Sequence, residues 1–240
     1  MAILVHGHRG ARAHRPENTL PAFEYAISAG ADALELDVAV TRDDVVVVSH
    51  DLRLGRRPIR EMTLAEVGLW DCGEGASIPT LDQVLALGDG GRFLFNIEIK
   101  SMPKRPAWAP PPERFAELVW QAIRRHRLAR RVIVQSFDFR TLHAMRRIAP
   151  GIRLAALYAG RPKSLIAIAR RAGTDIVAPY HALVSSRKVR AAHTAGLQVV
   201  VWTANRPRQW KRLIAAQVDG IITDDPAALI EYLKERGMRQ

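Results

Sequence analysis

Two carboxylates lie inside an apolar run near the start of the 240-residue chain. Glu35 and Asp37 stand two residues apart in LELDVAVTRDDVVVVSHD (34–51), a stretch that ends in the pair His50-Asp51. Burying one unpaired carboxylate is costly, and burying two side by side costs more. Either this pair faces water, or a positive group lies between its two members.

A third carboxylate is predicted to join them. Side chains alternate along a strand, so Glu35 and Asp37 share one face of a strand predicted over ALELDV (33–38). Glu98 occupies the corresponding face of RFLFNIEIK (92–100), whose other face is apolar. Adjacent strands lie about 4.8 Å apart. The three carboxylates can therefore converge at the end of two neighbouring strands.

Three carboxylates that converge repel one another. At about 5 Å and an effective dielectric constant near 20, each ionised pair costs about 3 kcal/mol. A hard divalent cation would relieve this repulsion, and a set of oxygen ligands suits Mg²⁺ or Ca²⁺. The alternative is that some of the carboxylates form ion pairs with Lys100 or an arginine. We expect a metal site.

Histidines accompany the carboxylates at two points. His6 and His8 share a face of the first predicted strand, with Arg9 at its end, and His50 closes the apolar run. We interpret His6, one layer deeper, as a hydrogen-bonded barrel residue. The other histidines are interpreted as loop or surface residues: His14, His126, His143, His181 and His193.

Eight apolar runs must position these residues, and most of them precede an amphipathic segment. The predicted strands are 3–8, 33–38, 92–100, 131–137, 153–158, 175–180, 198–203 and 220–224. Such alternation favours an α/β fold, a (β/α)₈ TIM-like barrel, with a doubly wound open sheet as the alternative. Helix starts are predicted from the pairs Thr63/Glu66 and Thr80/Gln83, from Asp225-Pro226, and from Asn18 or Thr19 before the first helix.

Two segments interrupt this rhythm. One spans 41–79, with an extra strand over 45–48, and the other is the proline-rich 103–112. Both follow predicted strands, so both are expected over the C-terminal mouth of the barrel, where barrel enzymes carry their active sites. We predict one domain over 1–240.

Composition and charge indicate the class of protein, its expected compartment and the kind of partner it binds. The chain is 48% hydrophobic and 25% charged, which is ordinary for a globular protein, and its one cysteine, Cys72, excludes an internal disulfide. Its N-terminus shows no signal-peptide pattern and no apolar run would span a bilayer, so the cytoplasm is expected. Net charge is +12, but the basic residues are spread along the chain. That spread disfavours a nucleic-acid partner and suits a small anionic substrate.

A set of motifs, in order along nearly the whole chain, resembles the glycerophosphodiester phosphodiesterase family of bacterial TIM-barrel enzymes. The matching pieces are HRG (8–10), PENT (16–19), ELD (35–37), HD (50–51), PTLDQVL (79–85), NIEIK (96–100), QSFD (135–138), VWTAN (201–205) and DGIITDDP (219–226). The resemblance implies hydrolysis of glycerophosphodiesters to an alcohol and glycerol 3-phosphate.

The resemblance also implies roles for individual residues. Glu35, Asp37 and Glu98 would hold the cation, and His8 and His50 would form the acid–base pair. Arg9 and Lys100 would contact the phosphate. Apart from the resemblance, Trp202 ends the seventh strand and is a candidate substrate-binding residue of the pocket wall, with packing in the core as the alternative. The chemistry agrees, since cations neutralise an anionic phosphodiester and histidine exchanges protons near neutral pH.

One departure from the family pattern affects substrate preference. After HD (50–51) the family carries a longer insertion with an Arg-Thr-Thr run, which is missing here, so residues 51–79 are expected to form a reduced cap. Three alternatives remain open: lysophospholipase D-like cleavage of lysolipids, an enolising lyase with a carboxylate-bound cation, and a nucleic-acid-binding module. The sequence leaves the oligomeric state and the head group open.

Overall fold

Eight parallel strands close into a barrel in the computed structural model, which describes residues 3–239. The two ends of the predicted 1–240 unit therefore lie outside the described residues. The strands are β1 (Leu4–Gly7), β2 (Ala33–Val40), β3 (Val46–Val48), β4 (Arg53–Leu54), β5 (Arg57–Pro58), β6 (Leu94–Ile99), β7 (Val132–Ser136), β8 (Arg153–Tyr158), β9 (Ile176–Pro179), β10 (Gln198–Val201) and β11 (Gly220–Thr223). The helices are α1 (Leu20–Ser28), α2 (Leu64–Gly68), α3 (Leu81–Ala86), α4 (Pro112–Arg125), α5 (Phe139–Ile148), α6 (Leu165–Ala172), α7 (Ser186–Thr194), α8 (Pro207–Ala215) and α9 (Pro226–Lys234).

Strand β1 closes the barrel by pairing with both β11 and β2 in parallel. The sheet order runs β1, β11, β10, β9, β8, β7, β6, β2, so each barrel strand has two neighbours. This closure confirms the predicted (β/α)₈ barrel and all eight of its predicted strands, and it excludes the open doubly wound sheet.

The barrel interior divides into an apolar part and a polar part. Apolar side chains fill it along β7 to β11: Ile133, Ala155, Leu157, Ile176, Ala178, Val200 and Ile222. Along β1, β2 and β6 several inward side chains are polar instead, although Leu94 of β6 packs against the apolar part. The deepest is His6, which is fully buried, with its Nδ1 3.4 Å from Asn96 Nδ2. Burial lowers the pKa of His6 to about 4, so this imidazole is neutral.

The predicted helix starts are capped as the sequence indicates. Thr63 and Thr80 each form a capping box, with Glu66 and Gln83 respectively, and the side chain of Asp225 accepts a hydrogen bond from the Ala228 N–H. At α1 the cap is Thr19, whose hydroxyl accepts from the Ala22 N–H. The side chain of Asn18 is therefore not needed as the cap of α1 and is available for another contact.

The segments after β2 and β6 pack together beside the mouth. Strand β3 runs antiparallel to β2, and β4 and β5 form a hairpin. These pieces share a small apolar cluster of their own, made of Ala39, Val47, Leu52, Leu54, Ile59, Met62, Val67 and Ile78. Trp108, at the end of a 3-10 turn over Pro106–Trp108 in the proline-rich segment, packs against this cluster. The two segments therefore form one wall at the mouth.

One histidine outside the barrel interior is also buried. His181, interpreted from the sequence as a loop or surface residue, is only 9% exposed. It lies in a short connecting turn, as a loop residue would, but it is buried there, and Gln209 and Arg212 contact its ring nitrogens. Within residues 3–239, no helix combines the length and the apolar character that crossing a bilayer requires.

Candidate active site

Three buried carboxylates meet where β2 and β6 end. Asp37 on β2 lies directly beside Glu98 on β6, and Glu35 lies one layer deeper on the same face. Each residue contributes a carboxylate oxygen such that the three oxygens lie within 4.8 Å of one another. Their exposed fractions are 2% for Glu35, 1% for Asp37 and 8% for Glu98, so water solvates them little. The register of two parallel strands thus brings the predicted acidic residues together.

Neighbouring strands and loops supply hydrogen bonds to the deepest carboxylate. Glu35 accepts from the backbone N–H of Arg9 at 3.0 Å and from the side-chain amide of Gln135 at 2.9 Å. Arg9 reaches this position because its backbone is left-handed, with φ at 52°. The following Gly10 has φ at 84°, and a Cβ there would come within 2.6 Å of the Ala22 carbonyl carbon. Only glycine fits this turn.

Cationic side chains approach Asp37 and Glu98 from the mouth. Lys100 Nζ lies 3.2 Å from Asp37 Oδ1 and 3.1 Å from Glu98 Oε1. Arg9 Nε lies 3.2 Å from Asp37 Oδ2, although its N–H is not aligned for a hydrogen bond. Asn18, also left-handed with φ at 60°, donates to Asp37 Oδ2 at 2.9 Å. Asp37 is consequently the best-compensated member of the cluster.

The pKa values of the three carboxylates are shifted in different directions by their surroundings. Burial and the charge of Asp37 raise the pKa of Glu98 to about 7, and the same causes raise the pKa of Glu35 well above its usual value. For Asp37, burial alone would raise the pKa, but Lys100 and Arg9 outweigh it and the pKa is lowered. Two basic side chains therefore do not neutralise three acids. An all-oxygen, buried and under-compensated cluster fits a hard divalent cation.

The two predicted catalytic histidines each contact an aspartate. His8 Nδ1 lies 2.5 Å from Asp224 Oδ1, and Asn205 donates to the second oxygen of Asp224 at 2.7 Å. His50 Nδ1 lies 2.8 Å from Asp51 Oδ1. Burial and the nearby Lys100 lower the pKa of His50. In both histidines Nε2 is the nitrogen left for a substrate.

Of the residues predicted to bind the substrate, Lys100 lines the cavity at the mouth, whereas Arg9 and Trp202 do not. Lys100 lines the main cavity at the mouth, a space of about 890 Å³ that is also lined by His50 and Glu98. Arg9 lies behind this wall and forms an ion pair with Glu17, its Nη1 2.6 Å from Glu17 Oε1. Trp202 is separated from the cavity as well. Its indole N–H donates to the Ala178 carbonyl at 2.8 Å, and its ring packs edge-on against Phe137 of the cavity wall.

The chain is similar to known proteins over nearly its whole length. The profile of the glycerophosphoryl diester phosphodiesterase family matches residues 8–228. A glycerophosphodiester phosphodiesterase of Caldanaerobacter subterraneus subsp. tengcongensis is 34% identical over 99% of this chain and 100% of its own length. The chain belongs to the glycerophosphoryl diester phosphodiesterase family.

Solved structures of similar proteins share the barrel. A glycerophosphodiester phosphodiesterase from Thermotoga maritima is 27% identical, with a TM-score of 0.76, covering 96% of this chain and 98% of its own. A phosphodiesterase from Oleispira antarctica, solved in complex with the product sn-glycerol-3-phosphate, superposes with a TM-score of 0.87 at 21% identity, covering 97% of each chain. Both structures therefore share this fold at low sequence identity.

Three polar residues of this family member's site were not identified from the sequence. The sequence indicates a helix cap for Asn18 and no role for Gln135 or Asp224, yet these three residues hold Asp37, Glu35 and His8 respectively. A signal existed for each, since all three lie in the quoted motifs PENT, QSFD and DGIITDDP. Each also stands at or next to the end of a strand or in a loop at the mouth.

Proposed function

We propose that the protein hydrolyses glycerophosphodiesters to an alcohol and glycerol 3-phosphate, with the help of a bound divalent cation. The observation that carries this proposal is the triad of buried carboxylate oxygens within 4.8 Å of one another at the barrel mouth. His50 and Lys100 lie in the same cavity wall as Glu98. Family membership supports the substrate class, and so does the similarity to the Caldanaerobacter glycerophosphodiester phosphodiesterase.

Glu35, Asp37 and Glu98 would hold the cation, Mg²⁺ or Ca²⁺. When bound, it would supply positive charge that offsets the negative charge of the phosphodiester and the charge that develops during its cleavage. Lys100 would contact the non-bridging phosphate oxygens from the cavity wall. The guanidinium of Arg9, which is paired with Glu17 and Asp37, would add a second positively charged side chain near the phosphate oxygens. Positive groups fixed in a poorly solvated site stabilise developing charge more strongly than water does.

The two histidines would divide the proton transfers. We assign His50 as the general base, because burial and Lys100 lower its pKa and favour the neutral imidazole. It would take the proton from the attacking hydroxyl, which belongs either to water or to the substrate's own glycerol. We assign His8 as the general acid, because the contact of its Nδ1 with Asp224 Oδ1 at 2.5 Å orients the ring and leaves Nε2 to face the departing oxygen. It would give its proton to the departing alkoxide.

The wall made by the hairpin and the proline-rich segment would act as a reduced cap over the substrate. This wall presents apolar and aromatic groups to the cavity, among them Leu52, Leu54, Trp70, Ile78 and Trp108. That lining favours a second candidate, lysophospholipase D-like cleavage of lysolipids, whose acyl chain would lie along it. Trp202 would support the opposite wall through Phe137.

One assay tests the proposal: release of glycerol 3-phosphate from a panel of glycerophosphodiesters, with and without chelator. We expect release that chelator stops and that Mg²⁺ or Ca²⁺ restores. Activity on lysolipids but not on deacylated diesters would select the second candidate. Chelator-resistant turnover would contradict the cation requirement.

Two variants separate the roles in this assay. Glu35→Gln is expected to abolish turnover together with the rise in melting temperature that added cation produces. His50→Ala is expected to lower kcat by about 10²- to 10⁴-fold while that rise is kept. The matched controls are Glu24→Gln and His143→Ala, both at exposed positions away from the mouth. Unchanged rates in both active-site variants would rule out the mechanism.

A further inference from the structure

Arg53 places a guanidinium on the wall of the active-site cavity. It is the first residue of β4 in the hairpin, its side chain is half-buried, and it lines the cavity that Lys100 and His50 also line. Its guanidinium carbon lies 5.2 Å from the centroid of the Trp108 ring. Within the described residues, the one hydrogen bond of this guanidinium runs from Nη2 to the Gly55 carbonyl at 3.2 Å. The hairpin and the aromatic ring thus hold the cation in place.

The charge of Arg53 has no acidic partner in the part of the chain that the structure describes. No carboxylate oxygen lies within 4.0 Å of its nitrogens, and its buried Nε has no hydrogen-bond partner. Two other carboxylates of the cavity each contact a basic side chain, Glu98 contacting Lys100 and Glu17 contacting Arg9. A cation left unpaired in a ligand cavity has capacity for an anion.

Asp51, the remaining carboxylate of the cavity, does not cancel this charge. It is bonded to His50 Nδ1, and its side chain is 77% exposed, so water screens it. The cavity wall around Arg53 is apolar instead: its guanidinium lies against the Trp108 ring, and Leu52 and Leu54, which are 5% and 8% exposed, line the same cavity. Apolar surroundings strengthen the interaction of a charge with a bound ligand.

The aromatic surface nearby is already occupied by cations. Trp108 would otherwise suit a quaternary ammonium group, because such groups bind aromatic rings through cation–π contacts. Here the guanidinium carbons of Arg53 and Arg105 lie 5.2 and 5.5 Å from its ring centroid. A choline-type head group placed at this wall would meet like charge.

We propose that Arg53 binds an anionic group, a phosphate or a carboxylate, on the alcohol half of the diester. The protein would then prefer diesters whose leaving alcohol carries a negative charge over those with a cationic head group. This inference rests on the proposed function. The glycerol 3-phosphate half is small and common to all such substrates, so much of the 890 Å³ cavity, including the wall with Arg53, is left for the alcohol.

The experiment measures kcat/KM for four diesters that differ in the charge of the leaving alcohol. Bis(glycerophospho)glycerol carries a second phosphodiester anion, glycerophosphoglycerate a carboxylate, glycerophosphoglycerol no charge and glycerophosphocholine a cation. For Arg53→Gln we expect about a 10-fold loss on the anionic diesters. We expect no change on glycerophosphoglycerol and a gain on glycerophosphocholine. Arg53→Lys keeps the charge but not the planar fork, so its loss should be smaller.

Arg56→Gln is the matched control. It removes the same charge from the exposed turn of the same hairpin, outside the cavity lining, and should leave all four rates unchanged. A loss confined to one anionic diester would support the proposal and identify the anion.

Equal losses on all four diesters, or none in Arg53→Gln, would overturn it while the proposed function stands. Failure of the unmodified protein to release glycerol 3-phosphate from any diester would instead refute the proposed function, and this inference with it.

Discussion

Removing the charge of Glu98 should stabilise the cation-free protein at alkaline pH. The carboxylate is 8% exposed, and its pKa is raised from the usual 4.5 to about 7, first by burial and then by Asp37. A raised carboxyl pKa means that the folded chain keeps a proton that the unfolded chain has released. The free energy of unfolding therefore falls as pH rises from about 4.5 to about 7.

The size of this effect follows from the same geometry. Moving a pKa from 4.5 to about 7 corresponds to about 3 kcal/mol. Two ionised carboxylates at 4.8 Å, the upper limit of the oxygen separations in this cluster, repel each other by a similar amount, about 3 kcal/mol, at an effective dielectric constant near 20. Glu98→Gln keeps the shape of the side chain, and Lys100 retains Asp37 as a partner at 3.2 Å. We therefore expect a gain of about 1–3 kcal/mol at pH 8, or about 2–12 °C in melting temperature.

Thermal unfolding in chelator at pH 5 and pH 8 checks this prediction. The difference in melting temperature between Glu98→Gln and the unmodified protein should be small at pH 5 and large at pH 8. Adding Mg²⁺ or Ca²⁺ should raise the melting temperature of the unmodified protein more than that of the variant. Glu24→Gln, at an exposed helical position, serves as control. A difference that is the same at both pH values would refute the reasoning.

Two further predictions concern the histidines. Asp224→Asn removes the anion beside His8, so kcat should fall about 10- to 100-fold with KM nearly unchanged, because an orienting carboxylate supports proton transfer rather than substrate binding. Steady-state kinetics checks this against Asp225→Asn, which removes the adjacent charge beside His14, keeps a side-chain oxygen to cap α9, and should leave kcat unchanged. Because burial and Lys100 lower the pKa of His50 below 6.5, the neutral base persists in mild acid. The acidic limb of the kcat/KM profile should therefore lie below pH 6.5, and a limb above that value would count against His50 as the base.

The sequence was sufficient for the barrel because each local pattern agreed with the closed fold. Alternation along 33–38 and 92–100 placed the acidic residues on one face, and Thr63 and Thr80 marked helix starts that the structure bears out. Motif spacing was equally informative. The motif set indicated the family that the profile match then showed. These features depend on neighbours within a few residues, which a sequence displays directly.

Long-range contacts were decided only by the tertiary structure. Closure of β1 onto β11 brings Asp224 to His8 across 216 positions of chain, and Gln135 reaches Glu35 across 100. No local pattern encodes such pairs, since the register of distant strands depends on how the whole barrel packs. The same is true of Arg53, whose placement over Trp108 requires two loops to pack together. Strand periodicity thus determined which side chains face the axis, while barrel closure and loop packing determined their partners and their charges.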